Sequence, residues 1–416
     1  MKFTDFRISP QISENLAGLG WKRPTDIQFK AIPAILRRED VLAIAQTGTG
    51  KTAAFAIPII HQLHERKRSK RAEGIRCLVM VPTHELAIQV KEAFTEIGKH
   101  SRVKTFAIFG GVEQDPQIAQ LQKGLDVLIA TPGRVFDLVN QGYLELGQVE
   151  TLVLDEADHM LALGFYKDIR DLLKYLPRKR QTLFFSATID EQIKKLAYSL
   201  VVNAIRIQIS PKNPVARNID HAVAFIEMDD KRFFLERIVK ENAESKILVF
   251  VRTKVRAERV AKAMARVGID SQTLHGDKDQ KSRFKALSAF REGKTNLLIA
   301  TDVSARGIDI KGVEYVINYD LPEQAENYVH RVGRTGRANH RGQALSFTSE
   351  QEKPMLAMIE EYLGHPIDRL AVENAEYKDT IMLTEDHSND WKSLMKEAQE
   401  MESKPKKRKK KKRKKS

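Results

Sequence analysis

Short stretches that are apolar at every position recur along this chain, at residues 41–44, 77–81, 106–109, 127–130, 152–154 and 183–185, and again at 247–251, 297–300 and 315–317. A strand with one face in water alternates apolar and polar residues. A strand apolar throughout must be buried on both faces, which suits a parallel sheet covered by helices on each side. Between the runs the spacing turns helical, as at Val260, Met264 and Val267, an i, i+4, i+7 stripe. The pattern predicts an α/β fold of parallel sheets flanked by helices.

The 416 residues suit two or three domains. The segment 210–218, with Pro211 and Pro214 among polar neighbours, resists helix and central strand and reads as a linker. It divides the chain into domains at 1–209 and 219–365. Residues 366–416 turn acidic and then basic with few core-forming clusters, which predicts a mostly disordered tail with room for a short helix from Trp391 to Met401. No apolar run approaches the roughly 20 residues of a membrane span, and the first ten residues lack a signal-peptide core. The single cysteine, Cys77, allows neither an intrachain disulfide nor a cysteine zinc site. A cytoplasmic location and a monomer are expected, with no membrane partner.

The formal charge of +15 points toward nucleic acid, but eleven of the twelve residues from 404 to 415 are Lys or Arg. Residues 1–403 hold 59 bases against 55 acids, a balance of +4. A nucleic-acid site in the body must therefore be argued from particular residues, while the tail offers sequence-independent, salt-sensitive attraction.

The segment Ala45-Gln46-Thr47-Gly48-Thr49-Gly50-Lys51-Thr52 follows one apolar run and precedes another. A glycine-rich turn between strand and helix lets backbone N–H groups close around phosphate oxygens at a helix N-terminus. Lys51 can then reach the β and γ phosphates, and the Thr52 hydroxyl can ligate Mg²⁺. Asp155-Glu156-Ala-Asp158 follows the run 152–154 directly, and ligands bind at the C-terminal ends of such strands. Asp155 is expected to hold Mg²⁺ and Glu156 to orient and deprotonate an attacking water. The third element is His330-Arg-Val-Gly-Arg334-Thr-Gly-Arg337. Its arginines, spaced by three, would share one face of a helix. Arg334 and Arg337 could act as fingers on the γ-phosphate.

Together these residues resemble a DEAD-box ATP-dependent RNA helicase, with paired RecA-like domains, over about residues 1–365. Gly20-Trp21-Lys-Arg-Pro-Thr-Asp-Ile-Gln28 is similar to the family's Q motif, which implies that Gln28 reads the adenine edge and Trp21 stacks on the ring. Pro82-Thr83-His84-Glu-Leu-Ala87, Gly110-Gly111 and Thr131-Pro-Gly-Arg134 resemble motifs that contact the RNA backbone, and Ser186-Ala-Thr188 the one that couples hydrolysis to strand separation. In the second half Arg252, Gly276 and Arg283, and Thr301 with Asp302, match further RNA-facing motifs; Asp309 falls near the ribose and His330 in the arginine motif. Phe109-Gly-Gly-Val112 and the short basic extension look closest to the bacterial RhlE-like branch.

The resemblance implies an enzyme that uses ATP and Mg²⁺, clamps single-stranded RNA across two domains and separates short duplexes locally. Two other readings stay open at this point: a DNA-acting remodelling ATPase, and an RNA clamp or chaperone whose unwinding is incidental. His84 departs from the family's pattern, which has Arg there. An imidazole with pKa ~6.5 is mostly neutral at pH 7, so RNA affinity is expected to be slightly weaker and pH-dependent. Nothing in the sequence points to a particular RNA, pathway or protein partner.

Overall fold

The computed structural model describes residues 2–46, 48–69, 74–209, 215, 218–302, 310, 312–336 and 341–385. These residues form two compact units, one built on the chain up to Asn218 and one on the chain from Ile219. Each unit holds a seven-stranded, all-parallel sheet.

The first sheet contains β1 (Val41–Ala45), β2 (Cys77–Met80), β3 (Thr105–Ile108), β4 (Val127–Ala130), β5 (Thr151–Leu154), β6 (Gln181–Ser186) and β7 (Ile205–Ile209). Their order across the sheet is β3-β4-β2-β5-β6-β1-β7. Because side chains alternate along a strand, each apolar run serves two cores. Val41, Ala43, Val79, Ile129, Val153 and Phe185 face helices Asp26–Leu36, Lys51–Ser69 and His84–Ile97. Leu42, Leu78, Leu128, Leu152 and Phe184 face the opposite layer, which holds Pro132–Asn140 and Glu191–Leu200. Each fully buried side chain of this kind contributes about 1.5–3 kcal/mol, which is why these strands read so plainly as uninterrupted apolar runs.

The second sheet contains β8 (Ile219–Phe225), β9 (Lys246–Phe250), β10 (Gln272–Leu274), β11 (Leu297–Ala300), β12 (Val313–Asn318), β13 (Gly342–Thr348) and β14 (Asp368–Leu370). They run in the order β10-β11-β9-β12-β13-β8-β14. Val260 and Met264 pack into this core from helix Lys254–Arg266, while Val267 is that helix's C-cap.

The sequence reading missed β7, β8, β10, β13 and β14. β7 and β14 are edge strands, so little of either is buried. β8 and β13 interleave Asp220, His221, Gln343 and Ser346 with their apolar residues. β10 spans only three residues. Residue 365 also proves too early as the end of the second fold. β14 pairs with β8, and helix Asn374–Glu385 packs on helix Lys231–Glu241. There the Tyr377 ring lies 5.0 Å from Phe234 and its hydroxyl donates to Asp230 Oδ2 at 2.7 Å. Few apolar residues are needed when one aromatic side chain anchors a helix, so composition alone did not reveal it. The expected linker at 210–218, apart from Val215 and Asn218, and the expected helix at 391–401 lie outside the described residues.

Candidate active site

In a parallel sheet every strand ends at the same edge, so the segments after β1, β2, β3, β4, β5 and β6 gather along one side of the first unit. The turn after β1 is held by Thr49 Oγ1 donating to the Gln46 carbonyl at 2.8 Å. Gly48 and Gly50 take φ of 81° and 91°, the left-handed region where glycine carries no penalty. Space also demands glycine at position 50, since a Cβ there would lie 2.5 Å from Gln28 Nε2. Gln28 is buried; its Nε2 donates to the Gly50 carbonyl at 3.2 Å and its Oε1 accepts the Thr25 N–H at 3.0 Å. Thr25 and Gln28 form a capping box at the start of Asp26–Leu36, a structural use of Gln28 that sequence reasoning passed over although the S/T-x-x-E/Q spacing signals it. Trp21 is partly exposed, 6.5 Å from the Phe3 ring. Thr47 lies outside the described residues.

Lys51 and Thr52 open helix Lys51–Ser69. Lys51 is only 6% exposed, and its Nζ has no hydrogen-bond partner. A buried ammonium without a partner is costly, and this one stands at a helix N-terminus beside a glycine turn, where anions are favoured. An anionic phosphate fits that position. Asp155, at the end of β5, is 2% exposed. Burial, opposed by the Lys51 charge and reinforced by Glu156, pushes its carboxyl up to about 7. Such a group gains from an arriving cation. Among the described residues no cluster of three or more His, Cys, Asp or Glu could itself hold a metal. A Thr52 hydroxyl with an Asp155 carboxylate suits Mg²⁺, which binds through few protein ligands, waters and substrate phosphates.

Glu156 caps helix Ala157–Ala162 with φ 53° and ψ 49°, a left-handed conformation that costs a non-glycine residue about 1–2 kcal/mol. Its N–H donates to Asp155 Oδ1 at 3.0 Å, and its Oε2 stands 3.5 Å from His159 Nδ1. Ser186 ends β6 fully buried, its Oγ without a hydrogen-bond partner, and Thr188 follows, half-buried.

On the same edge Thr83 caps helix His84–Ile97, its Oγ1 accepting the Leu86 N–H at 3.3 Å. His84 stacks on Phe109, ring centroids 5.4 Å apart, beside the turn Gly110–Gly111. Thr131 is buried as the N-cap of Pro132–Asn140. Arg134 donates through one Nη to the Val112 carbonyl at 2.9 Å, while its Nε and other Nη are buried without partners. A guanidinium so placed suits an anion.

The second unit corrects several expectations. Arg331 and Arg334 do not share a helical face, because helix Ala325–Val332 stops at Gly333, its C-cap. Arg331 is buried at 2% exposure and donates to both oxygens of Asp302, at 2.5 and 2.8 Å, and to the Asp320 carbonyl at 2.7 Å. Asp302, expected toward RNA, spends its carboxylate on that bidentate pair. Arg334 lies in the turn beyond, its N–H donating to the Arg331 carbonyl and its Nε to the His330 carbonyl, both at 3.0 Å. His330 is half-buried on the helix. Arg252 donates to Glu352 at 3.2 Å. Thr301 and Arg283 are half-buried and Gly276 exposed. Asp309 and Arg337 lie outside the described residues.

A phosphate-binding turn with a buried lysine after β1, an acidic pair after β5 at the same edge of the sheet and an all-parallel order define the class: a P-loop nucleoside-triphosphate-hydrolysing protein. The DEAD/DEAH box helicase model matches residues 25–196, and the helicase conserved C-terminal domain model matches residues 230–339. The chain is 39% identical to the ATP-dependent RNA helicase DbpA of Bacillus subtilis over 90% of its own length and 77% of that protein's. It is 40% identical to the ATP-dependent RNA helicase CshA of Listeria monocytogenes, covering 86% and 68%. Its fold matches S. cerevisiae Dbp5 bound to RNA and ADP BeF3 with a TM-score of 0.80 and 28% identity, over 96% of this chain and 99% of that one. The chain belongs to the DEAD/DEAH box helicase family, and its two sheets are tandem RecA-like folds.

Proposed function

We propose that the chain is an ATP-dependent RNA helicase that holds single-stranded RNA and opens short duplexes locally, coupled to ATP binding and hydrolysis. The observation that carries this reading is the buried Lys51 ammonium at the phosphate turn, without a hydrogen-bond partner, with Asp155 and Glu156 at the same edge of the sheet, after β5.

Lys51 and the amides of residues 46–52 receive the phosphates, and Trp21 and Gln28 flank the base. Thr52 and Asp155 would hold Mg²⁺, which would supply charge neutralisation at the phosphates. Glu156 orients the attacking water and takes its proton. Arg334 and Arg337, with His330, serve the γ-phosphate as arginine fingers, and Asp309 serves the ribose. RNA contacts fall to Thr83, His84, Gly110, Gly111, Thr131 and Arg134, and to Arg252, Gly276, Arg283 and Thr301. Arg331 braces Asp302 so that this side of the second fold keeps its shape. Ser186 and Thr188 carry the coupling.

A first domain at 1–209, the linker 210–218, a second domain from 219 that runs past 365, a monomer, a cytoplasmic location and membership of the RhlE-like branch belong to the same reading. The glycine pair within Phe109-Gly-Gly-Val112, the basic extension and the single cysteine support it. No helix among the described residues is long and apolar enough to cross a membrane. The test is ATP hydrolysis with Mg²⁺ and either single-stranded RNA or matched DNA. Low basal turnover, stimulation by RNA but not DNA, and loss of all hydrolysis in Lys51→Ala are expected. Equal stimulation by DNA, or hydrolysis that survives Lys51→Ala, would overturn it.

A further inference from the structure

The edge of the first sheet opposite the phosphate turn, where the strands begin, carries a charge that the active site does not use. Four segments lead into neighbouring strands there: residues 37–40 into β1, 74–76 into β2, 147–150 into β5 and 177–180 into β6, and Arg66 reaches Glu150 from helix Lys51–Ser69. With Arg66 their described side chains hold 7 Lys and Arg against 3 Asp and Glu, whereas the other described side chains of residues 1–209 hold 18 against 19. The positive excess of the described side chains of residues 1–209 therefore falls at this edge.

The parallel register brings the ends of these segments side by side. Cys77 pairs with Thr151 and Thr151 with Gln181, so Arg76, Glu150 and Arg180 stand in a row one residue earlier, joined by Glu150 N–H to the Arg76 carbonyl and Gln181 N–H to the Glu150 carbonyl, both at 2.8 Å. The available carboxylates are already engaged. Glu150 is shared by Arg66 and Arg76. Glu39 pairs with Arg37 at 2.8 Å. Asp40 accepts the Thr182 and Val202 N–H groups, both at 2.7 Å. Arg38 donates to the Thr151 hydroxyl at 3.4 Å. Arg178 and Lys179 are exposed, and among the described residues neither they nor Arg38 has a carboxylate within ion-pair reach. Burial lowers the Arg38 guanidinium below the ordinary arginine range and the Arg66 charge adds to this, against the pull of Glu150. Some bases at the end of helix Lys51–Ser69 are accounted for by the helix dipole; those before β1 and β6 are not.

We infer that this edge is a second RNA-binding surface, which takes the phosphate backbone of RNA outside the segment held at the active site. The chemistry favours phosphate: six of the seven described bases are arginine, whose planar guanidinium matches phosphate oxygens and binds them without reading sequence. Strands bound at the opposite edge continue past the protein in both directions, and a basic edge on the same unit would hold a structured flank near the clamp. The inference rests on RNA being the substrate.

The test uses the full chain carrying Arg38→Gln, Arg178→Gln and Lys179→Gln together, none of them at the ATP site. Two RNAs are compared: a single strand of about 10 nucleotides, enough to fill one binding groove, and a long RNA with structured flanks. For the long RNA, Kd is expected to weaken several-fold and the slope of log Kd against log salt to fall by about 2, near 0.7 for each single-strand phosphate that is no longer neutralised. For the short RNA, Kd and stimulated ATP turnover are expected to stay as in the unsubstituted protein. Unchanged binding of the long RNA, or equal weakening of both, would overturn the inference. Photo-crosslinking of the unsubstituted protein to the long RNA is independent of the variant's folding; adducts on residues 37–40 or 177–180 are expected, and their absence would also overturn it. Failure of the short RNA to stimulate the unsubstituted protein would count against the RNA reading itself.

Discussion

His84 stands at the first turn of helix His84–Ile97, stacked on Phe109 and next to the Gly110–Gly111 turn. An arginine there would offer RNA a permanent charge and a fork of donors that an imidazole lacks. His84→Arg is expected to bind RNA several-fold more tightly. Measuring the RNA affinity of both proteins side by side checks it; identical affinities would remove His84 from the RNA-facing set. The residue scale also shows what spacing hides. Arg331 and Arg334 are three apart, yet one is an internal brace for Asp302 and the other sits in a turn, because a helix end at Gly333 separates them.

At the scale of elements the second fold is tied together by a buried ion pair. Lys231, the first residue of helix Lys231–Glu241, is fully buried; its Nζ donates to the Tyr319 carbonyl at 2.8 Å, to the Phe347 carbonyl at 3.2 Å and to Glu352. Those partners follow β12, end β13 and precede helix Lys353–Leu363, so one ammonium joins three elements. Burial alone would raise the Glu352 carboxyl, but the Lys231 charge and hydrogen bond, with the Ser349 and Leu321 N–H groups, hold it below the ordinary 4.5. A carboxyl lowered on folding adds stability above its unfolded value, and that stability is lost as the pH falls through the lower folded value. Glu352→Gln would leave Lys231 buried against a neutral group, and a loss of about 3–5 kcal/mol is expected. Urea denaturation of the second fold at pH 7 measures it. The difference from the unsubstituted protein should narrow below pH 4.5, where the native carboxylate also begins to protonate.

Across the whole molecule the formal charge of +15 divides between the run at 404–415 and an excess concentrated before β1, β2, β5 and β6. Deleting the run leaves the body at +4. It should weaken RNA binding at low salt and flatten the salt dependence, because fewer counterions are released, without changing ATP turnover at saturating RNA. Affinity and slope unaltered by the deletion would leave the run no part in binding RNA. Tail and edge contribute through the same physics, so the effects of removing each should add when combined, as expected for sites without shared partners.

The sequence by itself determined the class of fold, since double-sided burial forces continuous apolar runs, and it determined the phosphate turn and the acidic pair, since a tight turn and a strand end each need particular residues at fixed spacing. It also exposed the motif order on which family membership was read. Tertiary structure alone decided the edge strands β7 and β14, whose side chains are too little buried to leave a pattern, and the anchoring of helix Asn374–Glu385 through Tyr377. It decided too that Gln28 braces Gly50, that Asp302 is spent on Arg331, and that bases scattered from Arg37 to Arg180 meet along one edge. Each of these depends on residues distant in the chain coming together, and which of them meet follows from strand order, which local spacing does not encode.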